Sequence, residues 1–365
     1  MYDRLLKVEC DNQSVRTVPS LESRYYTDPE IFEREKVEIF QKSWICVGHQ
    51  SMVASPGQYF VSRIVDKEVL IVRAKNGALH AFHNSCRHRG HRLAIDSGTC
   101  NRFVCPYHAW TYDLDGQLLG APNSRNVADF DCSKIRLNLV RLELLAGAIF
   151  VNLDDAAPDM ADVYGDVESE ILAAKPNISE QELVIDNPHP HRCNWKASVE
   201  NFSECYHCGP VHKYLASNVI DPTTYKLTAQ GLIQRHQIEA YENNMVQRIW
   251  HFWPNTAIGL YPIPGFGTTL CLRHMYPIDH KNSIYHYRWF VDQGKPHAPV
   301  AEYADIHAKT TTIEDGQVAG GVQYGMEHCG YKQGYLLADP NNAMSSEHVI
   351  VHFQALVRAA LEASE

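Results

Sequence analysis

Two short segments in the first half of the chain each contain one cysteine and one histidine. Cys86 and His88 are separated by one residue, and Cys105 and His108 by two. A [2Fe–2S] cluster can be held by two cysteines on one iron and two histidines on the other, so that each segment contributes to both irons. Exchanging two thiolate ligands for neutral imidazoles raises the reduction potential of the cluster to roughly −150 to +300 mV. The four residues therefore predict a cluster that passes electrons to a high-potential iron–oxygen centre.

A structural zinc site is the competing interpretation, because two cysteines and two histidines also suit tetrahedral zinc. Zinc sites usually pair cysteine with cysteine at C-x₂₋₄-C spacing. Here each segment contains one cysteine and one histidine, which favours the iron–sulfur cluster over a zinc site. It also favours the cluster over the alternative that all four are core residues that bind no metal.

A second group of candidate ligands comprises Glu204, His207 and His212. A predicted helix over 194–208 places Glu204 and His207 on one face. Gly209 and Pro210 disfavour its continuation, and the break can turn His212 back towards His207. Two histidines and one carboxylate form the facial triad that holds ferrous iron with positions open for dioxygen. Two neighbouring histidines are by themselves more often structural, but the cluster motif in the same chain reverses that expectation.

The missing carboxylate must come from elsewhere in the sequence. Glu314 and Asp315, on a predicted helix that follows Thr310, are the best candidates. Cys205 and Cys208 flank His207, but thiolates are not ligands of this kind of centre. We therefore predict that these two cysteines are reduced packing residues.

The elements that position these residues indicate two domains, as the length of 365 residues also suggests. Short alternating segments separated by turn signals predict a small antiparallel β domain that carries both Cys–His pairs. An acidic stretch, 154–190, predicts a domain junction, and helices around a sheet predict an α+β domain beyond it. The predicted strands are 58–62, 68–73, 103–105, 110–114, 148–152, 234–240, 268–273 and 283–291. The predicted helices are 29–43, 167–174, 194–208, 301–322 and 347–361.

Composition limits the possible partners and the location. The net charge is −10, with 43 acidic and 33 basic residues, and no lysine or arginine block of the kind that binds nucleic acid is present. The longest apolar run, 144–151, is far shorter than the roughly 20 residues that cross a bilayer, so no membrane partner is expected. Eleven cysteines without an export signal favour reduced thiols and a cytoplasmic location.

The two ligand groups, in this order along most of the chain, resemble the α subunits of Rieske non-haem iron oxygenases. The resemblance implies an N-terminal all-β Rieske domain over 44–155 and a C-terminal helix-grip catalytic domain over 156–365, with a helical segment, 1–43, packed on the latter. It implies a homotrimer, and electrons from NAD(P)H through a flavin/iron–sulfur reductase or a ferredoxin. The implied cluster ligands are Cys86, His88, Cys105 and His108, and the implied ligands of a mononuclear Fe(II) are His207, His212 and, in preference to Glu314, Asp315.

Glu204 departs from the family pattern. Most members carry an aspartate there that bridges the cluster histidine of one site and the iron histidine of the other, and a glutamate should still span that gap. The segment 200–208 resembles the branch that acts on carnitine, glycine betaine and stachydrine. This implies that Glu204 couples the two sites.

The expected function is hydroxylation, with N-demethylation as the favoured form, of a small quaternary ammonium compound. Aromatic-ring hydroxylation is the alternative within the family, and an electron-transfer Rieske protein is the alternative from another class. Monooxygenation and dioxygenation stay open. An alkylammonium head group needs aromatic faces, and the candidates in the catalytic half are Tyr206, Trp250, Phe252, Trp253, Tyr261, Phe266 and Tyr276.

Overall fold

The chain folds into two compact units in the computed structural model, which describes residues 1–241 and 245–362. One unit comprises residues 41–157, and the other comprises residues 1–40 together with the chain from 158 onwards. Within the described ranges, no helix is long and apolar enough to cross a membrane.

The unit of residues 41–157, all of which are described, contains two antiparallel sheets. Tyr112, Phe82 and Phe103 lie in its apolar core together with the thiols of Cys86 and Cys105. Four further strands that were not predicted complete the larger sheet, at 45–49, 79–83, 97–99 and 139–145. The order of the larger sheet is Ile45–His49, Ala148–Asn152, Leu139–Leu145, Leu79–His83, Lys67–Arg73, Gln58–Ile64 and Ser97–Thr99, and that of the smaller sheet is Phe103–Val104, Thr111–Tyr112 and Leu118–Gly120.

The other unit is built on an antiparallel sheet with helices packed on it, so the predicted α+β class is confirmed. Among its described residues, a separate pair of strands joins Arg16–Pro19 to Tyr335–Ala338. The large sheet has the order Gln181–His191, Asn282–Asp292, Gly267–Asp279, Thr256–Ile263, Val246–Phe252, Ile233–Ala240 and Ile220–Gln230.

The first strand of the large sheet falls inside the stretch predicted as a domain junction. Its two prolines, Pro188 and Pro190, made a strand unattractive on sequence grounds. It lies at the edge of the sheet, where a residue without a backbone N–H is tolerated because one side of the strand has no ladder partner. The strand Thr256–Ile263 was missed for a related reason, since it is buried throughout and contains both Gly259 and Pro262.

Each of the five predicted helices overlaps an α-helix of the described residues, but the lengths differ and several short helices were not predicted. The predicted helix 29–43 is α-helical only to Glu35 and continues as a π-helical turn to Phe40. The predicted helix 301–322 is divided by a π-helical turn at 308–312. The α-helices are Tyr2–Leu5, Arg24–Thr27, Pro29–Glu35, Met160–Tyr164, Val167–Ala174, Trp195–Phe202, Cys208–Val211, Lys213–Asn218, Ala298–His307, Ile313–His328 and His348–Leu361, the π-helical turns are Lys36–Phe40 and Ala308–Thr312, and 3₁₀ turns lie at Gln50–Val53, Cys132–Lys134, Ile178–Glu180 and Ala343–Ser345.

A buried ion pair anchors the helix Trp195–Phe202. The carboxylate of Glu35 binds the Lys196 ammonium, and neither side chain is exposed to solvent. The same carboxylate accepts a hydrogen bond of 2.8 Å from the Trp195 indole. Removing one partner of such a pair would leave an uncompensated buried charge, so this contact holds the first turn of the helix against the segment that contains Glu35.

Candidate metal centres

Two loops at the edge of the smaller unit bring Cys86, His88, Cys105 and His108 together. The first loop closes through a hydrogen bond from the Cys86 backbone N–H to the carbonyl of His91, and Gly90 adopts a φ of 73° that suits glycine. The second closes from the Cys105 N–H to the carbonyl of Trp110. The His88 ring also stacks on the Trp110 ring, with centroids 4.8 Å apart, which fixes its orientation.

The four side chains separate into two pairs by burial. Cys86 and Cys105 are 3% and 2% exposed, whereas His88 is exposed and His108 is half-buried. The Nδ1 atoms of the two imidazoles lie 3.2 Å apart, close to the roughly 3.4 Å expected for two ligands of one tetrahedral ion. The loops thus offer two thiols on the inside and two imidazole nitrogens on the outside.

This separation fits a two-iron cluster and not a single zinc ion. One zinc ion needs all four donor atoms around one point. Among the residues described, the only group of three or more such donors that converges within 4.8 Å is His207, His212 and Asp315, in the larger unit. The Cys–His residues do not converge in that way, so the zinc alternative is disfavoured by geometry as well as by spacing.

The Tyr112 hydroxyl is a contact of this site that the sequence did not indicate. It lies 3.2 Å from Cys86 Sγ and accepts a hydrogen bond of 3.0 Å from the Arg87 backbone N–H. With its acceptor role taken by the backbone, the hydroxyl is free to donate its proton to the sulfur. Burial raises the pKa of the Cys86 thiol, and this hydrogen bond acts in the opposite direction by stabilising a thiolate.

In the larger unit, three donor atoms converge on one point. His207 Nε2 lies 3.1 Å from His212 Nε2 and 3.4 Å from Asp315 Oδ1, and His212 Nε2 lies 3.0 Å from Asp315 Oδ1. Two ligands at right angles on one ion lie about 3 Å apart when each bond is about 2.1 Å. The triangle therefore has the dimensions of one face of an octahedral metal site.

A second carboxylate lies behind each histidine. His207 Nδ1 is 2.5 Å from Glu204 Oε1, and His212 Nδ1 is 2.9 Å from Glu314 Oε2. Each Nδ1–H donates to its carboxylate, which leaves the Nε2 lone pair directed at the shared point. Glu314 thus contacts the outer side of His212, whereas its neighbour Asp315 is the carboxylate that faces both Nε2 atoms.

The electrostatics of the triplet favour a cation between its members. Burial opposes protonation of His207, but its hydrogen bonds to Asp315 and Glu204 outweigh burial and raise its pKa to about 10. Burial also disfavours charge on Asp315, yet the two histidines hold its pKa well below the usual value. Both shifts indicate that this buried site favours a positive charge between the carboxylate and the two rings, which a proton or a metal ion can supply.

The segment that carries these residues differs from the predicted helix. The helix begins after Asn194, whose side chain caps it by accepting from the Lys196 N–H, and it ends at Phe202. Glu204 and His207 therefore lie in a turn, because the Glu204 carboxylate accepts the backbone N–H groups of Tyr206 and His207 and so competes with helical hydrogen bonds.

The predicted break at Gly209 and Pro210 is also wrong. Both residues lie within the short helix Cys208–Val211, and the break comes at His212, with φ −93° and ψ 61°. His212 nevertheless reaches His207, as the sequence led us to expect.

Cys205 and Cys208 form a disulfide, so the prediction that they are reduced thiols is wrong for this pair. A spacing of three residues is compatible with such a bond when the chain makes a turn. The loop that it closes contains His207.

A narrow cavity of about 80 Å³, open to solvent at one side, lies over the triplet. Of the seven aromatic residues that the sequence suggested, only Tyr261 lines it. Trp250, Phe252 and Trp253 are buried but do not line the cavity, and Tyr206 is exposed. The cavity is instead lined by residues that sequence reasoning missed, namely Phe202, Tyr225, Tyr285, His236, His307 and Arg273.

Comparisons with known proteins agree with the two metal centres. The profile of the Rieske [2Fe-2S] domain matches residues 43–131, and that of the ring hydroxylating alpha subunit (catalytic domain) matches residues 179–363. The first range contains both Cys–His pairs, and the second contains the convergent triplet.

Two of the three similar proteins reported next match nearly the whole chain. The carnitine monooxygenase oxygenase subunit of Escherichia coli (strain K12) is 33% identical over 361 residues, which is 95% of each chain. The glycine betaine monooxygenase oxygenase subunit of Chromohalobacter salexigens is 37% identical over 212 residues, 55% of this chain and 45% of that protein. The crystal structure of the quaternary ammonium Rieske monooxygenase CntA in complex with L-carnitine superposes with a TM-score of 0.85 at 30% identity, covering 94% of this chain and 96% of that one.

Proposed function

We propose that this chain, which belongs to the family of Rieske non-haem iron oxygenase α subunits, oxidises a small quaternary ammonium compound with dioxygen and electrons from a reductase. The observation that carries the proposal is the convergence of His207, His212 and Asp315 beneath a cavity, in a chain that also contains two Cys–His pairs. An electron-transfer protein would have no use for the triplet or its cavity.

The members of this family carry a [2Fe–2S] cluster and a mononuclear iron. We propose Cys86, Cys105, His88 and His108 as the cluster ligands and residues 44–155 as the domain that contains them. We propose His207, His212 and Asp315 as the iron ligands. They belong to a proposed catalytic domain that comprises residues 156–365, on which the N-terminal segment 1–43 packs. The distances and burial given above support these assignments.

The chain's own residues have definite tasks in this chemistry. When bound, the cluster supplies electrons and the iron activates dioxygen. Glu204 and Glu314 keep a proton on Nδ1 of their histidines, so that both Nε2 atoms stay available as ligands. Asn201 donates a hydrogen bond of 2.7 Å to Asp315 Oδ1 and fixes the direction of that carboxylate.

The proposed substrate class rests on the relatives and on the cavity. Carnitine and glycine betaine are quaternary amines, and the cavity of this chain presents the ring of Tyr225. A cation that cannot donate hydrogen bonds is well met by aromatic faces. If an N-methyl carbon is attacked, one oxygen atom of O₂ enters the C–H bond and the other leaves as water, with two electrons and two protons consumed. The resulting N-hydroxymethyl group loses formaldehyde and a proton to give the tertiary amine.

We further propose that the protein is a homotrimer in the cytoplasm, where NAD(P)H and a flavin/iron–sulfur reductase or ferredoxin are supplied. The structural study of CntA describes inter-subunit electron transfer, which supports an assembly in which neighbouring chains cooperate. Light scattering on the holoenzyme should return the mass of three chains.

The test is the stoichiometry of turnover with a partner reductase. Purified holoenzyme, NADH and dioxygen are combined with a panel of betaines and a matched panel of aromatic acids, and NADH loss and formaldehyde release are measured together. We expect NADH-coupled formaldehyde release with at least one betaine. Oxidation of aromatic acids without any reaction of the betaines would assign ring hydroxylation instead.

A further inference from the structure

A buried arginine lies in the wall of the cavity above the triplet. Arg273 is on the strand Gly267–Asp279, is 6% exposed, and lines the same cavity as His207, His212 and Asp315. Charged residues are almost never buried to this extent without a partner. The position of Arg273 therefore requires an explanation.

Arg273 forms no direct ion pair with a carboxylate among the residues that the structure describes, although the Asp315 carboxylate attracts its charge from further away. Its Nη2 donates a hydrogen bond of 3.2 Å to His307 Nε2, and the Tyr285 hydroxyl lies beside the guanidinium. Its Nε–H is buried without any acceptor. Arg288, on the neighbouring strand and also buried, instead binds Asp186 at 3.2 Å. Arg288 also keeps one buried nitrogen, Nη1, without an acceptor, so the two residues differ in their carboxylate partner. Guanidinium groups bind carboxylates through paired N–H donors, and Arg273 lacks the carboxylate that Arg288 has.

Aromatic rings hold the guanidinium in place. Its central carbon lies 4.6 Å from the centre of the Tyr261 ring, 4.9 Å from that of Tyr287 and 5.6 Å from that of Phe202. Two of these rings, Tyr261 and Phe202, line the cavity. The faces that could receive a quaternary ammonium group on this wall are thus already covered by a cation. An alkylammonium group is repelled from this wall, whereas an anionic group is attracted to it.

We propose that Arg273 binds a carboxylate group of the substrate and so makes this enzyme selective for betaines, which carry both charges, over quaternary amines with a neutral or alcohol tail. The inference rests on the proposed function and sharpens it, because it fixes the charge at the second end of the substrate. Arg273 is thus a specificity-determining residue, and repulsion directs the quaternary nitrogen away from the guanidinium.

The first test compares two substrates that differ only in charge at the tail, γ-butyrobetaine and its carboxamide. With the wild-type holoenzyme and a reductase, we expect kcat/KM to be about 10- to 100-fold higher for the carboxylate, since a hydrogen-bonded charge pair contributes that much discrimination. In Arg273→Gln the ratio should fall to near one, mainly through KM for the carboxylate. In Arg273→Lys it should be intermediate, because lysine keeps the charge but lacks the planar pair of donors.

Arg288→Gln is the matched control, because it removes a buried arginine from the adjacent strand of the same sheet without altering the cavity. Its ratio between the two substrates should equal that of the wild type. An unchanged ratio in Arg273→Gln would overturn the proposal. If Arg273→Gln does not fold, the test rests on Arg273→Lys and on the wild type. A wild-type kcat/KM ratio between the carboxylate and the carboxamide that is near one would also overturn the proposal.

The second test measures binding without turnover. Isothermal titration calorimetry of the holoenzyme without reductant uses 5,5-dimethylhexanoate, in which carbon replaces the nitrogen of γ-butyrobetaine. Its Kd should rise about 10- to 100-fold in Arg273→Gln and stay unchanged in Arg288→Gln. If no quaternary amine is oxidised and this anion still depends on Arg273, the proposed function fails and the carboxylate site stands. If betaines are oxidised and the Kd does not depend on Arg273, the carboxylate site fails alone.

Discussion

His207 and Glu204 are joined by a hydrogen bond of 2.5 Å between Nδ1 and Oε1, on the side of the imidazole opposite to Asp315. The other carboxylate oxygen, Oε2, accepts the backbone N–H groups of Tyr206 and His207. Glu204 is therefore held by its own turn, and it holds His207 in one tautomer and one orientation.

Replacing Glu204 with glutamine should retain both metals and slow the transfer of electrons between them. The amide can keep a hydrogen bond to His207 but carries no charge, so it no longer supports proton movement at that imidazole. We expect re-oxidation of the reduced cluster to be about 10- to 100-fold slower in single-turnover absorbance measurements. The matched control is Glu314→Gln, which makes the same change behind His212. Equal rates in wild type and Glu204→Gln would contradict a bridging role for Glu204.

Replacing Asp315 with alanine should remove the mononuclear iron without disturbing the cluster. Two imidazoles alone do not hold ferrous iron in a facial site, and the cluster ligands are on other loops. Metal analysis should show the loss of one iron per chain, while the visible absorption of the cluster is unchanged and turnover disappears. An Asp315→Ala variant with full iron content and full activity would show that another carboxylate is the ligand.

Replacing Tyr112 with phenylalanine should lower the reduction potential of the cluster. The hydroxyl lies 3.2 Å from Cys86 Sγ, and a hydrogen bond to a sulfur stabilises the reduced, more negative state. Loss of one charge-assisted hydrogen bond corresponds to a fall on the order of 50–100 mV for one electron. Redox titration followed by spectroscopy measures it. Tyr59→Phe is the control, because that ring packs on Phe103 in the same core, and a potential that falls equally in both variants would contradict the assignment.

Replacing Glu200 with glutamine should change how stability depends on pH. Burial raises the pKa of this carboxyl from 4.5 to about 7, and it accepts hydrogen bonds of 2.6 Å from Tyr26 and 3.0 Å from Gln354. Between about pH 4.5 and 7, the folded state therefore keeps a proton on this carboxyl that the unfolded chain has already released. As a result, the free energy of unfolding falls as the pH rises through this window, and it levels off above pH 7. The whole contribution is about 3 kcal/mol.

Denaturant titrations across this pH range should show a shallower decline for Glu200→Gln than for the wild type. Glu302→Gln, an exposed glutamate on the helix Ala298–His307, should follow the wild type. Parallel curves for wild type and Glu200→Gln would show that the carboxyl is ionised in the folded protein throughout the range.

The family and the metal chemistry could be predicted from the sequence, and the comparisons confirm both. The reason is that few residue types bind iron, and their spacing within a loop is a local property of the chain. The α+β class and several strands could be predicted because alternation of apolar residues is also local. The ligand roles of the individual residues stay predictions, although the structure brings the predicted triplet together.

Only the tertiary structure decided which carboxylate has which position and what surrounds the cavity. Glu314 and Asp315 are adjacent in sequence, yet one contacts His212 from behind and the other faces both Nε2 atoms, because the helix Ile313–His328 packs against the helix Trp195–Phe202. Glu204 and His207 meet in a turn and not on a helix, since a side chain captured the backbone N–H groups. Arg273 lies in a largely buried strand, and its lack of a direct carboxylate partner is visible only when the neighbouring strands are in place. Such contacts join residues about a hundred positions apart, and no local pattern in the chain contains them.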